Sequence, residues 1–254
     1  TAYSSHRINT ITFFIYYSMF GFQRIGDLAW AAGDMRARGF LMGGTSGRTT
    51  LAGEGLQHQD GHSHLLTYPY PTVKSYDPAF SYELAVIIQD GIKRMYIDQE
   101  SIFYYITIMN ELYPQPPMPQ GVKEGIIRGM YKFRESDDRT AKHSVNLFGS
   151  GTIMNKVIEA QQILQEKFGV AAHIWSVTSY KELHRDALLA ERWNMFNPDK
   201  KARLPYLSQL LKGNTGVFVA ASDYVKALPE SIARWIPGRL LSLGTDGFGR
   251  SDGR

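Results

Sequence analysis

The sequence contains no cysteine, which excludes disulfide bonds and metal sites built on thiolate ligands. It also has no run of about 18 consecutive apolar residues, so it predicts no membrane-spanning helix. The absence of cysteine is compatible with a reducing compartment, and we expect a cytoplasmic protein.

Strong charge of either sign is missing as well. The 28 lysines and arginines exceed the 24 aspartates and glutamates by only four, and they are scattered along 254 residues. A nucleic-acid-binding surface requires clustered basic residues, so we predict no nucleic-acid partner. Hydrophobic residues make up 43% of the sequence, which is enough for a buried core in one or two domains.

Apolar runs and amphipathic segments alternate along the chain. Short runs rich in β-branched and aromatic residues predict strands, and apolar residues at intervals of three to four predict helices. The predicted strands are 11–17, 40–44, 101–109, 144–151, 170–177, 216–222 and 239–244. We expect strand 11–17 to be buried, and strand 144–151 ends in a glycine turn. The predicted helices are 21–37, 79–96, 152–169 and 223–236, the last interrupted by Pro229. This alternation is typical of α/β domains built on parallel sheets.

A proline-rich segment divides the chain. Four prolines fall within residues 114–119, a density that predicts a semi-rigid linker. The alternation of strands and helices restarts after it. We therefore predict one domain over residues 1–120, a linker region over 121–142 and a second domain over 143–254.

The stretch GGTSGRTTLAGEGLQHQDGHSH, residues 43–64, combines many glycines with three histidines. Glycine lets a backbone approach a ligand closely because no Cβ intervenes. Neither a dinucleotide-binding fingerprint nor a P-loop is present. The histidines allow three interpretations: ordinary hydrogen-bonded loop residues, a metal site of His58, His62 and His64 with Asp60, or His58 acting on a substrate as an acid or hydrogen-bond donor.

The aromatic stretch YYSMFGF, residues 16–22, follows the first predicted strand. It has two interpretations. The rings either pack in the core of a buried strand or form a platform for a flat heteroaromatic ring. Open parallel α/β sheets bind ligands at the carboxyl ends of their strands, and this stretch lies at such an end.

Several longer segments occur together and in a fixed order. They are YYSMFGFQRIGDLAWAAGDMRARGFLMGGTSGRTTLAGEGLQHQDGHSH, SYDPAFSYELAVIIQDGIKRMY, YYITIMNE, GSGTI and LGTDGFGRSD. Together they closely resemble the homodimeric bacterial type of pyruvate dehydrogenase component, a thiamine-diphosphate-dependent family. The resemblance extends over essentially the whole sequence.

The resemblance implies where this sequence belongs in the longer family chain. It resembles the later part of the parallel-sheet domain that binds the aminopyrimidine ring of thiamine diphosphate. The early part of a transketolase C-terminal-type α/β domain follows it. We therefore expect an internal piece of a longer polypeptide. In the family the Mg²⁺ ligands lie outside this piece, and we expect no metal site within it.

The resemblance also implies roles for four residues. Tyr17 and Phe20 match residues that line the aminopyrimidine pocket, and His58 matches a histidine that faces the reacting carbons. Glu54 belongs to the same motif as His58, GEGLQH, and is expected to orient the loop through hydrogen bonds. The two later histidines are expected to be structural.

The activity implied by the resemblance is the oxidative decarboxylation of pyruvate by a homodimer that uses thiamine diphosphate and Mg²⁺. The acetyl group then passes to the lipoyl arm of the dihydrolipoyl acetyltransferase. Two alternatives remain: a transketolase-like two-carbon transferase and a non-catalytic structural fragment. Because half of the active centre lies outside this sequence in the family, we expect the 254-residue piece alone to be inactive.

Overall fold

The computed structural model describes residues 10–49, 51, 54–138 and 140–247. These residues form two units, each built on its own sheet with helices packed against it. Within the described ranges, no helix is both long enough and apolar enough to cross a membrane.

The first unit is built on four parallel strands in the order β1-β2-β4-β3. The strands are β1 (Phe13–Tyr17), β2 (Phe40–Gly44), β3 (Val73–Tyr76) and β4 (Phe103–Thr107). The helices are α1 (Phe22–Asp34), α2 (Ser63–Leu66) and α3 (Ser81–Ile92), and a π-helical turn, Lys93–Ile97, extends α3. Buried side chains of β2, β4 and α3, among them Phe40, Tyr104 and Ile87, pack into one core cluster. The sheet is therefore held to α3 by apolar burial.

The strand predicted at residues 11–17 forms as β1, but the expectation that it is buried is wrong. Phe14 and Ile15 are 54% and 67% exposed. β1 is the edge strand of its sheet and pairs with β2 on one side. An apolar run indicates strand propensity, but what covers the strand is decided by the tertiary structure, so its burial does not follow from the run alone.

The second unit is built on five strands in the order β5-β7-β6-β8-β9. They are β5 (Met130–Arg134), β6 (His143–Gly149), β7 (Val170–Val177), β8 (Val217–Ala221) and β9 (Arg239–Leu243). β5 runs antiparallel to β7, and the other four strands are mutually parallel. The helices are α4 (Lys123–Arg128), which precedes β5, then α5 (Ile153–Phe168), α6 (Tyr180–Phe196), α7 (Tyr206–Leu210) and α8 (Ala227–Glu230). Residues 143 to 177 therefore make one βαβ unit, as predicted.

Residues 121–142, predicted to be a linker region, contain regular structure. The helix α4 and the strand β5 both lie within this range. Met130 at the start of β5 is fully buried, and β5 extends the second sheet as its antiparallel edge. β5 was not predicted because a five-residue edge strand that contains lysine and arginine shows little apolar periodicity.

Two helices also differ from the prediction. The long helix α6 was not predicted, although its sequence contains good helix formers. The helix predicted at residues 223–236 is only α8 with a separate 3₁₀ turn, Ala233–Trp235. Pro229 lies in the first turn of α8, where its missing N–H breaks no intrahelical bond. By contrast, α5 ends as expected at Gly169, which adopts the left-handed conformation (φ 60°).

The two units meet through buried polar groups at the carboxyl end of β3. The backbone N–H of Asp77 donates to the carbonyl of Thr178, just after β7, at 2.8 Å. The hydroxyl of Ser179 donates to the carbonyl of Ser75 at 2.6 Å. Because these groups are excluded from water, each bond replaces one that solvent would otherwise make. The contacts fix the end of β3 against the segment that follows β7.

A fully buried carboxylate, that of Glu83 in the first turn of α3, joins the units at a second point. One oxygen accepts the backbone N–H groups of Ala79 and Phe80 at 2.6 and 3.1 Å. The other accepts the hydroxyls of Tyr131 in β5 and Ser176 in β7, both at 2.6 Å. The first pair of bonds caps the helix and the second pair ties it to the second sheet.

Replacing Glu83 by alanine should destabilise the folded protein by about 3 kcal/mol, because four buried donors lose their acceptor. The measurement is the free energy of unfolding from urea denaturation of the complete protein that carries this segment. Glu166→Ala, which removes an exposed carboxylate from α5, is the matched control and should change stability by less than about 0.5 kcal/mol. Equal effects of the two substitutions would contradict this role of Glu83.

Candidate active site

The candidate site lies where β1 ends. The chain leaves β1 at Tyr17, makes one 3₁₀ turn over Ser18–Phe20 and enters α1. This short turn brings the rings of Tyr17 and Phe20 to 5.6 Å between centroids. Both predicted ring-binding residues therefore stand side by side at the carboxyl edge of the first sheet, where parallel sheets bind ligands.

His58 comes to the same place from the glycine-rich stretch. It ends a 3₁₀ turn, Leu56–His58, and its ring centroid lies 5.3 Å from that of Tyr17 and 5.5 Å from that of Phe20. Its Nδ1 lies 2.9 Å from a carboxylate oxygen of Glu54. The structure thus brings together all four residues that the resemblance singled out.

Sequence reasoning missed a cation beside this cluster. The guanidinium of Arg24 lies over the ring of Phe20, 4.4 Å from its centroid. Phe20 ends the 3₁₀ turn and Arg24 lies in the first turn of α1, so the short connection between the two elements brings these side chains together. A cation over an aromatic face is attracted by the ring quadrupole, and the contact holds both side chains at the rim of the site.

Asp60, two residues after His58, anchors the loop. It is fully buried, and one of its oxygens accepts the side-chain N–H of Gln23 in α1 at 2.7 Å. The same oxygen accepts the backbone N–H groups of His62 and Ser63, both at 3.0 Å. Asp60 therefore caps the start of α2 and ties the His58 loop to α1, which carries Arg24.

His64 points away from His58, into the core. Its ring is buried, with Nδ1 2.7 Å from the hydroxyl of Ser75 and Nε2 3.0 Å from that of Thr107. The Thr107 hydroxyl donates to Asp77 at 2.6 Å, so it accepts from Nε2–H, and Nδ1 accepts from Ser75. Burial lowers the pKa of His64 to about 4, which keeps this ring neutral. Its role is structural.

The three histidines do not form the metal site considered from their spacing. Residues 59–62 are not helical, so His58 and His62 do not share a helix face. Among the described residues there is no group of three or more His, Asp or Glu side chains placed to hold a metal ion. Burial lowers the pKa of the half-buried His62, and the positive charge of Arg48 lowers it further.

Comparison with known proteins finds relatives that match the whole chain. Residues 1–116 match the model of the pyruvate dehydrogenase E1 component middle domain, and residues 129–254 match the transketolase-like C-terminal domain. Over its whole length the chain is 56% identical to the pyruvate dehydrogenase E1 component of Pseudomonas aeruginosa and 53% identical to that of Escherichia coli K12. The chain is therefore similar along its whole length to a segment of pyruvate dehydrogenase E1 components.

The chain spans 29% and 28% of the lengths of these two relatives. Among solved structures it resembles the transketolase of Campylobacter jejuni, with a TM-score of 0.64 and 20% sequence identity. That likeness covers 94% of this chain and 32% of the transketolase chain. It shows the fold and confirms the predicted class: a parallel-sheet α/β unit followed by a transketolase C-terminal-type α/β unit.

The chemistry of the cluster follows from its parts. Tyr17 is 43% exposed and the His58 side chain 27% exposed, so both rings present a face to solvent. Aromatic faces stack on flat heteroaromatic rings, and an imidazole donates or accepts a proton near neutral pH. Because the Nδ1 of His58 faces Glu54, its Nε2 is the atom left to meet a substrate.

The buried, neutral state of His64 predicts a loss of stability in acid. In the unfolded chain the imidazole binds a proton near pH 6.5, whereas in the folded chain it does so only near pH 4. The part of the stability that this residue contributes should therefore fall as the pH drops between these values, by about 1.4 kcal/mol per pH unit. Burial raises the pKa of the neighbouring Asp77 to about 7, which acts in the opposite direction, so the quantity to measure is the change of slope that His64→Gln causes in urea denaturation at several pH values. His143→Gln, at an exposed position, should leave the slope unchanged. If His64→Gln also leaves it unchanged, the proposed neutral state is wrong.

Proposed function

We propose that this chain supplies part of the active centre of an enzyme that oxidatively decarboxylates pyruvate. The acetyl group would pass to the lipoyl arm of a dihydrolipoyl acetyltransferase. One observation carries the proposal: Tyr17, Phe20 and His58 meet at the carboxyl edge of the first sheet, in a chain similar along its whole length to pyruvate dehydrogenase E1 components. In this proposal residues 1–120 bind the aminopyrimidine ring and residues 143–254 form the C-terminal-type domain.

The proposed cofactor is thiamine diphosphate, and the residues present suit its aminopyrimidine ring. Tyr17 and Phe20 offer adjoining aromatic surfaces at a strand end, which is the environment that a flat, partly polar ring requires. When bound, the cofactor supplies the electron sink for decarboxylation of a 2-oxo acid. The proposed Mg²⁺ would be held by parts of the protein that this chain does not include.

His58 is proposed to act on the oxygen of the substrate. Charge develops on the carbonyl oxygen of a 2-oxo acid during the reaction, and a positioned donor stabilises it. Glu54 lies 2.9 Å from Nδ1 and favours a proton on that nitrogen, which leaves Nε2 to accept a proton from the substrate or, once protonated, to donate a hydrogen bond to that oxygen. Tyr17 and Phe20 pack against the imidazole and limit its rotation.

A second subunit is proposed to cover the outer side of α1. Ile25 and Leu28, three residues apart and so neighbours on the helix surface, are 40% and 63% exposed there. Exposed apolar side chains that cluster in one place are typical of protein–protein interfaces. This supports the homodimer implied by the resemblance. The cytoplasmic location stays a prediction.

The alternative of a transketolase-like two-carbon transferase is less well supported. The Campylobacter jejuni transketolase is 20% identical to this chain, whereas the E1 components of Pseudomonas aeruginosa and Escherichia coli K12 are 56% and 53% identical. Another structure that the chain resembles is a split-gene transketolase described as an inactive β4 tetramer, and this chain covers 68% of it. That description favours a segment of this type being inactive alone, as the structural-fragment alternative holds.

The 254-residue chain alone should not decarboxylate pyruvate at saturating thiamine diphosphate and Mg²⁺. The reason is that the chain spans only 29% and 28% of these relatives' lengths, and the resemblance implies that the diphosphate-binding part lies in the remainder. The measurement is CO₂ release, with the complete protein as the positive control. Steady release by the pure 254-residue chain would show that it holds a whole active centre.

In the complete protein, His58→Ala should lower kcat by about 10²- to 10³-fold and change thiamine diphosphate affinity much less. A single donor to a developing oxyanion contributes on the order of 3–4 kcal/mol. His62→Ala is the matched control from the same loop and should lower kcat less than about tenfold. Steady-state kinetics and a cofactor titration measure both effects. Near-normal turnover by His58→Ala would remove this residue from the proposed active centre.

A further inference from the structure

Asp223 follows β8 in the second unit but binds the glycine-rich stretch of the first. Its carboxylate accepts the backbone N–H of Thr49 at 3.3 Å and also the hydroxyl of the same threonine. A weaker contact at 3.5 Å joins it to the hydroxyl of Thr152 at the start of α5. Asp223 is only 9% exposed, so its charge lies within the contact between the two units.

The backbone beside Thr49 is shaped to admit this carboxylate. Gly47 has a φ of 76°, which side-chain-bearing residues rarely adopt. A Cβ on Gly47 would lie 2.5 Å from a carboxylate oxygen of Asp223. Only glycine satisfies both the backbone angle and the close approach. This gives a specific reason for one glycine of the stretch.

The other end of the same loop is held by residues close to Asp223. The backbone N–H of Val225 donates to the carbonyl of Gly61 at 2.9 Å. The guanidinium of Arg48 lies directly against Gly61, where a Cβ would overlap it, and donates to the carbonyl of Gly247 at 3.0 Å. Arg48 is 8% exposed; burial lowers the pKa of its guanidinium, and the nearby charges of Asp60 and Asp223 act in the opposite direction.

These contacts lie at the carboxyl ends of β6 and β8, the two strands between which the strand order of the second sheet reverses. β6 pairs with β7 on one side and with β8 on the other, so the direction of the connections reverses between β6 and β8. In open α/β sheets the crevice at such a reversal is the usual ligand-binding position. Here Asp223 and Thr152, which follow β8 and β6, use that position to hold Thr49.

We propose that Asp223 is a positioning residue for His58, an inference that rests on the proposed function. Thr49 and Gly61 mark the two ends of the segment that carries Glu54 and His58. Asp223 fixes the first end and its neighbour Val225 fixes the second. A catalytic imidazole must be held within a fraction of an ångström, so a loose loop lowers kcat without removing a reacting group.

The test is Asp223→Asn in the complete protein. It should lower kcat about tenfold and change the KM for pyruvate less than about threefold, because positioning is lost while substrate contacts remain. Hydrogen–deuterium exchange of peptides within residues 45–62 should become faster, with exchange elsewhere unchanged. Asp223→Asn and Thr49→Val should be non-additive in kcat, because the two residues share a hydrogen bond.

Asp138→Asn is the matched control. Asp138 also accepts a threonine backbone N–H and hydroxyl, those of Thr140, but on a loop before β6. This variant should leave kcat and the exchange of residues 45–62 unchanged. The positioning role is overturned if hydrogen–deuterium exchange of residues 45–62 in Asp223→Asn matches that of the wild type. It is also overturned if exchange becomes faster throughout the chain. The exchange result does not depend on which substrate is turned over. If the complete protein does not turn over pyruvate but exchange changes as expected, the result counts against the proposed function and not against the positioning role of Asp223.

Discussion

The arrangement of the two sheets depends on one carboxylate that has no access to water. Glu83 accepts four hydrogen bonds, two from the start of its own helix and two from strands of the second sheet. A buried charge is tolerated only when its partners are placed to satisfy it, so the helix and the two strands have little freedom to shift relative to one another. The hydrogen bonds from Asp77 to Thr178 and from Ser179 to Ser75, at the end of β3, connect the same two units at a second place.

With the sheets fixed, their carboxyl edges come close enough for a loop to bridge them. The glycine-rich stretch leaves β2 in the first sheet, binds Asp223 of the second unit and returns to present His58 beside Tyr17 and Phe20. The first unit thus contributes the side chains of the candidate site. The second unit contributes the support that determines where one of them stands. The unit that comes later in the sequence therefore has a part in shaping the candidate site.

Much of this could be predicted from the residues. β2, β4, α1, α3 and α5 formed close to where apolar periodicity placed them, and Gly169 ends α5 as a left-handed cap. The four site residues were identified through resemblance, and spacing alone had left His58 with three interpretations. Arg24 and Asp223 were missed, and Asp60 was considered only as a metal ligand. Single charged residues carry no periodic signal, and their roles arise from partners elsewhere in the chain.

By itself, the sequence determined the alternation of strands and helices, the α/β class and the family, because these depend on local propensity and on long motifs in order. Only the tertiary structure decided that β1 is an exposed edge, that β5 completes the second sheet and that His64 is buried while His58 faces the aromatic pair. The physical reason is the distance along the chain between interacting groups. Thr49 and Asp223 are 174 residues apart, and no local pattern specifies a hydrogen bond that forms only after both sheets have folded and packed together.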